Sequence, residues 1–149
     1  KRFLLIFMLL LLLSGMMFHT GCKKSNIDDP PDMSIIGVKW VLESIQYSNQ
    51  NIIPIERMFY VLFNEDLTFR MQVDCNTCTG TYVLGANHSI SFSWQMTCTD
   101  AFCGDDSKDN EFHAALETVS KYDVDGDRLR LYFNNEQSQL NFIAESSNL

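Results

Sequence analysis

Residues 81–96, TYVLGANHSISFSWQM, are the stretch that decides the fold we predict. In residues 89–96, large apolar side chains alternate with Ser and Gln, which is the period of a strand with one buried face and one wet face. Residues 85–88 have the composition of a tight turn, and the β-rich residues 81–84 precede them. The stretch therefore predicts an antiparallel hairpin.

Strand signals of the same kind occur on both sides of this hairpin. Residues 58–63 and 67–73 flank a turn-forming Asn-Glu-Asp and predict another hairpin. Residues 52–55 predict a loop, because Pro54 cannot donate a hydrogen bond to a strand ladder. The remaining strands are predicted within residues 35–45, 122–124, 129–133 and 140–143.

One segment has helical rather than strand spacing. Apolar residues at i, i+3, i+4 and i+7 predict one buried stripe on a helix from about residue 109 to 121. This stripe consists of Phe112, Ala115, Leu116 and Val119. Asp105, Asp106 and Asp109 stand at its start, where carboxylates cap free amides. We therefore predict an α+β fold of six or seven strands, mainly an antiparallel β-sheet or a partly closed barrel with one amphipathic helix.

Composition and charge narrow the class of protein. The 149 residues suffice for one ordinary domain, and 46% apolar with 12% aromatic residues can form a real core. All 19 acidic residues follow position 22, whereas Lys1 and Arg2 are two of the 11 basic residues. Nine basic residues are left against 19 acidic ones, which argues against nucleic acid as a partner.

The first 22 residues predict export and lipid anchoring. Lys1 and Arg2 precede a long apolar run, and residues 20–22, Thr-Gly-Cys, resemble a lipobox. The alternative anchor is an uncleaved membrane-spanning helix. The uncharged stretch 3–18 is shorter than the ~20 residues that such a helix needs. We predict a signal peptide at 1–21, a lipidated Cys22, a flexible tether at 22–34 and one domain at 35–149. The expected location is the bacterial cell envelope, as an outer-membrane lipoprotein.

Four further cysteines occur in the sequence as two groups, Cys75 and Cys78 in the first and Cys98 and Cys103 in the second. Export favours two disulfides over a four-thiolate zinc site or a redox-active C-x-x-C. Three pairings are possible. The hairpin favours cross-links between the two segments, although a strictly regular register sets Cys75 opposite Cys98.

Several motifs together resemble the META domain (HslJ-like) family. They are GVKWVL at 37–42, CN at 75–76 with GTY at 80–82, the segment from Cys98 to Cys103, and residues 112–131. The resemblance implies a compact β-rich fold in exported or membrane-associated proteins, loosely linked to stress tolerance, and no established reaction. It also implies a Cys75–Cys103 disulfide, which leaves Cys78 for Cys98.

Single residues in these motifs have simple architectural interpretations. Asn76 and Gly80 predict a turn, and Tyr82 predicts a core or edge ring whose hydroxyl needs a partner. His88 and His113 are interpreted as exposed turn and helix residues, so we expect no catalytic residues and no enzyme. The acidic residues 100–111 and 123–127 match no calcium loop, and we expect neither metal nor cofactor.

The leading functional hypothesis is a non-enzymatic, lipid-anchored envelope protein that binds an unidentified partner. The alternative is a carrier of a small apolar ligand, held in a barrel cavity beside Trp40, Phe92 and Trp94. A third hypothesis is an inhibitor of secreted enzymes that presents the loop at 94–103.

Overall fold

The computed structural model describes residues 34–93 and 95–145. The predicted signal peptide, Cys22, the tether up to residue 33, and Trp94 lie outside the described residues. The described strands are β1 (Lys39–Gln46), β2 (Ile52–Pro54), β3 (Phe59–Phe63), β4 (Thr68–Val73), β5 (Asn76–Gly85), β6 (Ser89–Phe92), β7 (Thr97–Cys98), β8 (Lys121–Asp125), β9 (Arg128–Phe133) and β10 (Ser138–Ala144). The helix α1 (Asp109–Leu116) lies between β7 and β8. Within these ranges no helix is long and apolar enough to cross a membrane.

Eight of the strands form a closed antiparallel barrel. The order is β1, β3, β4, β5, β6, β8, β9 and β10, and β10 pairs back onto β1. A register shift between Leu42 and Ser44 marks a bulge in β1, the kind of irregularity that lets a strand bend at a barrel corner. The two short strands continue the edges of this ring: β2 pairs with β1 on the edge that β3 also uses, and β7 pairs with β5 on the edge that β6 also uses. The predicted α+β antiparallel fold with one helix is thus confirmed, and the barrel is fully closed.

Alternating residues of the strands fill the interior of the barrel. In β3, for example, the first, third and fifth residues are buried. Trp40 is 2% exposed, and its indole Nε1 donates a hydrogen bond of 2.9 Å to the carbonyl of Ile35. The largest fully buried side chains include Trp40, Tyr82, Tyr122, Phe59, Phe63, Phe69, Phe112 and Phe142. Packed aromatic rings therefore supply much of the core.

The prediction of a loop at residues 52–55 is wrong, because Ile52–Pro54 form β2. Pro54 lies opposite Ser44 in this edge strand. Proline is tolerated there because an edge strand does not need every backbone N–H for hydrogen bonds within the sheet.

The predicted strand through residues 90–96 is interrupted. β6 ends at Phe92, opposite Tyr82 in β5. When the chain rejoins β5 as β7, Cys98 lies opposite Cys78. Pairing therefore resumes with two extra residues on the second strand. This bulge changes the register of the cysteines from that of a regular hairpin.

The helix has the predicted buried face but ends early. Phe112, Ala115 and Leu116 are buried in α1, and Val119 is buried just beyond its end. The ring of Phe112 packs against Phe59 of β3 at a centroid distance of 5.6 Å. The apolar spacing continues to Val119 through a turn, which the sequence pattern cannot distinguish from another turn of helix.

The predicted capping is wrong for Asp105 and Asp106, whereas the carboxylate of Asp109 accepts a hydrogen bond of 2.8 Å from the amide of Asn110. Lys108 occupies the N-cap position, and the cap makes no side-chain hydrogen bond. Asp106 is instead bound to Arg57, as described below. Asp109 and Glu111 stay in the first turn, where their charges favour the helix dipole.

Candidate functional site

Two nested disulfides link β5 and the residue before it to β7 and the loop that follows it. Cys75 is bonded to Cys103, and Cys78 is bonded to Cys98. The pairing implied by the family resemblance is thus confirmed. The bonds and the bulge after Phe92 explain each other. In the register of β5 with β6, Cys98 would lie opposite Asn76, and the two extra residues bring it opposite Cys78. We call residues 99–106, which follow β7 and contain Cys103, the Phe102 loop.

The side chain of Asn76 holds the start of the Phe102 loop. Asn76 is 8% exposed; its Nδ2 donates to the carbonyl of Ala101 at 2.9 Å, and its Oδ1 accepts from the Ala101 amide at 2.8 Å. The same oxygen accepts from the hydroxyl of Thr99 at 2.9 Å. Thr99 also pairs with the backbone of Thr77 in both directions, at 3.0 Å each. Asn76 thus acts as an internal brace, and the prediction that it makes a turn is wrong.

Arg57 holds the other end of the Phe102 loop. Its Nη1 donates to the carbonyl of Cys103 at 2.6 Å and to Asp74 at 2.8 Å, and its Nη2 donates to Asp106 at 2.6 Å. Hydrogen bonds to Asp74 and Asp106 raise the pKa of Arg57. No pattern in the sequence points to Arg57, because its partners Cys103 and Asp106 lie 46 and 49 residues away and no spacing links them.

The loop presents one large apolar side chain to solvent. Phe102 is 85% exposed, the highest fraction among the large exposed hydrophobic residues described. Beside it lies an open cleft of about 460 Å³, whose lining includes Asp100, Asp105 and Asp109. Large side chains that anchor protein–protein interfaces are often aromatic, and this one stands exposed on a braced loop. The carboxylates around it make that surface acidic.

Gly80 and Tyr82 both lie within β5. Gly80 is opposite Phe69, whose ring covers it so closely that an added Cβ would lie 2.6 Å from Cζ. The predicted turn at Gly80 is therefore wrong; the glycine makes room for the ring. Tyr82 is buried and its hydroxyl donates to the carbonyl of Asn64 at 2.8 Å, which confirms the predicted need for a partner. Desolvation raises the pKa of Tyr82.

The histidines considered for catalysis lie on separate elements. His88 is in the turn between β5 and β6, with its ring 5.3 Å from that of Tyr122. His113 is half-buried in α1 and lies near the Cys78–Cys98 disulfide.

We expect Asn76→Ala to loosen the Phe102 loop while the barrel stays folded. The substitution leaves the amide and carbonyl of Ala101 without their partner, at a cost of roughly 1 to 3 kcal/mol. Native-state hydrogen exchange should show lost protection at Ala101, with unchanged protection in β9 and β10. Equal protection at Ala101 in both proteins would contradict the brace assigned to Asn76.

These features define a class: a closed eight-stranded antiparallel barrel with one helix and a disulfide-braced loop. The profile of the META domain family matches residues 33–147, and the chain belongs to that family.

Solved structures share the fold at low sequence identity. A protein from Burkholderia xenovorans, solved by NMR, is 15% identical with a TM-score of 0.66, over 79% of this chain and 91% of that one. The crystal structure of a duf4847 family protein from Bacteroides vulgatus is 16% identical with a TM-score of 0.61, over 76% and 96%. No curated protein matches the sequence. The structural likeness therefore supports the fold alone.

Proposed function

We propose that this META-domain protein is an exported, lipid-anchored, non-enzymatic envelope protein that binds a protein partner through the Phe102 loop. The observation that carries the binding proposal is the 85% exposure of Phe102 on a loop braced from both sides.

The lipid anchor is supported by the first part of the sequence. The charged start, the apolar run and Thr-Gly-Cys at 20–22 follow the order of a bacterial lipoprotein signal. Residues 23–32 are polar and include the pair Pro30-Pro31, a composition suited to a tether. Because several acyl chains on Cys22 give stable anchoring, the barrel is free to use its surface for a partner.

The partner's chemistry follows from the loop. Binding costs less when the recognition group is already ordered, and the disulfide, Asn76 and Arg57 all restrict the loop before any partner arrives. The exposed Phe ring would fit an apolar pocket on the partner. Because Asp100 and Asp105 surround the ring, we expect Lys or Arg side chains of the partner at the rim of that pocket.

The groups of the loop favour recognition over bond-making. Cys103 is joined to Cys75, so neither sulfur is a free nucleophile. The Arg57 guanidinium already binds two carboxylates and a carbonyl.

Site-specific photo-crosslinking in the living bacterium tests the binding surface. A photoreactive phenylalanine analogue at position 102 should give one discrete protein adduct. The same analogue at Val83, which is 62% exposed on β5, should not, because exposure alone does not make a binding surface. Adding Asp100→Lys and Asp105→Lys should abolish the adduct at 102 by reversing the charge of the rim.

Equal adduct patterns from positions 102 and 83, or an adduct at 102 that survives charge reversal, would contradict the proposal. If the crosslinked partner is a secreted enzyme, the result would support the hypothesis that the protein inhibits secreted enzymes through the loop at 94–103, which contains Phe102.

The alternative of a small-ligand carrier finds no support in the described interior. Trp40 is buried in the core and bonded to Ile35, and Phe92 packs against Phe63 and Phe69. These side chains occupy the space that a ligand would need.

A further inference from the structure

Three metal-ligating side chains from three elements meet beside the helix. The sulfurs of Cys78 in β5 and Cys98 in β7 and a ring nitrogen of His113 in α1 all lie within 4.8 Å of one another. Neither Cys75 nor Cys103 belongs to this group. The position of His113 is a product of the fold, since nothing in the spacing of the sequence links it to the cysteines.

We propose that these three residues bind one zinc ion when the Cys78–Cys98 disulfide is reduced. Two thiolates and one imidazole are ligands that zinc prefers, at about 2.3 Å for sulfur and 2.0–2.1 Å for nitrogen. Tetrahedral ligands at those distances lie about 3.5 to 3.8 Å apart. The two sulfurs, 2.06 Å apart in the disulfide, therefore have to separate by about 1.7 Å, and the imidazole nitrogen has to approach by at most about 1.3 Å. The proposal does not depend on partner binding or on the lipid anchor.

A water molecule can complete the site. A cleft of about 70 Å³ is lined by His113 together with Phe92, Ser93, Met96 and Glu117. Because a single water needs only about 10–15 Å³ of such volume, the cleft beside His113 has room for a water that could serve as the fourth zinc ligand. Three protein ligands and an open position form a zinc site accessible to solvent.

The oxidation state of the cysteines controls the site. The disulfide sulfurs carry no thiolate, so the oxidised protein lacks two of the three ligands. Cys98 is exposed on the two-residue strand β7, whereas Cys78 is fully buried. Because Cys98 is the more exposed of the two residues, we expect a reductant to attack its sulfur first.

The reductant required is a dithiol. One of its thiolates attacks the sulfur of Cys98, forms a mixed disulfide and releases the Cys78 thiolate. The second thiol of the dithiol then attacks the mixed disulfide and releases the Cys98 thiolate. Two electrons pass to the protein, and the dithiol becomes a disulfide after losing two protons. Zinc then binds both thiolates.

Cobalt and zinc titrations of the reduced protein test the site. The full chain carrying Cys22→Ser, which removes the fifth thiol, is purified in detergent and reduced with an excess of dithiothreitol, which is then removed under anaerobic conditions. We expect one Co²⁺ per chain, with the absorption of a tetrahedral ion and charge-transfer bands for two thiolates, displaced by one Zn²⁺. Reoxidation should release the metal.

Variants distinguish this site from other cysteine sites. His113→Ala should weaken zinc binding by at least about tenfold, the factor that even an outer-shell partner of a ligand is worth. His88→Ala, in the distant turn, is the matched control and should bind normally. Cys75→Ser/Cys103→Ser should also retain the ion, since those residues are outside the group.

Three results would overturn the proposal. They are the absence of zinc binding in the reduced protein, equal affinity in His113→Ala and the control, and loss of binding in Cys75→Ser/Cys103→Ser. Equal affinity of His113→Ala and His88→Ala would also result if reduction unfolded the domain and the free thiols bound zinc in the unfolded chain. Loss in the double variant would indicate the four-thiolate site.

Discussion

Replacing both Cys78 and Cys98 by alanine should lower the free energy of unfolding by about 3 kcal/mol in the chain-entropy estimate. The disulfide spans 20 residues of sequence and ties β7, which pairs only two residues of β5, to the barrel. Without this disulfide the unfolded chain has more conformational entropy, whereas that of the folded chain hardly changes, so unfolding becomes more favourable. Denaturant unfolding without reductant measures the change.

A matched variant separates the two bonds. Cys75→Ala/Cys103→Ala opens a loop of similar length, 28 residues, and should cost a similar amount of stability. Peptide mapping under non-reducing conditions should find the remaining bond intact in each double variant. A change of less than about 1 kcal/mol in both variants would show that the bonds do not restrict the unfolded chain as described.

Truncating Leu116 should destabilise the protein by roughly 2 to 5 kcal/mol, the range for removing a large apolar side chain from a core. Leu116 is 4% exposed at the end of α1, on the same face as Phe112 and Ala115. Leu116→Ala leaves a cavity where the helix meets the sheet, and thermal or denaturant unfolding measures its cost.

The neighbouring Glu117 supplies the control, because it is exposed. Glu117→Ala should change the free energy of unfolding by less than about 0.5 kcal/mol, as surface substitutions usually do. Small and equal effects at both positions would refute the buried face assigned to α1.

Much of the fold could be predicted because local patterns determine it. The hairpin of β3 and β4 follows from alternation and turn composition, and the strands β8 and β9 follow from their apolar residues, signals that depend on neighbouring residues only. The stripe that contains Phe112 and Leu116 likewise revealed the buried face of the helix. Closure of the ring through β1 and β10 depends on residues about 100 positions apart, and local periodicity carries no information about it.

The candidate site was less predictable for the same reason. The cysteines form a recognisable pattern in the sequence, but their pairing depends on a bulge of two residues. The alternation of apolar and polar residues at 89–96 gives no sign of that bulge. Asn76 and Arg57 brace a loop more than 20 residues away, and the sequence offers no signal for such contacts. Asp106 was assigned to helix capping because it precedes α1, whereas the fold brings it to Arg57.

The central claim, anchoring by lipid on Cys22, is tested most directly by the intact mass of the protein extracted from bacterial membranes. We predict a chain that begins at Cys22 and carries the additional mass of acyl chains. The Cys22→Ser variant should lack that mass and leave the membrane fraction after a carbonate wash. A membrane-bound chain that retains residues before Cys22, or an unmodified Cys22, would contradict lipid anchoring and indicate an uncleaved apolar segment as the anchor.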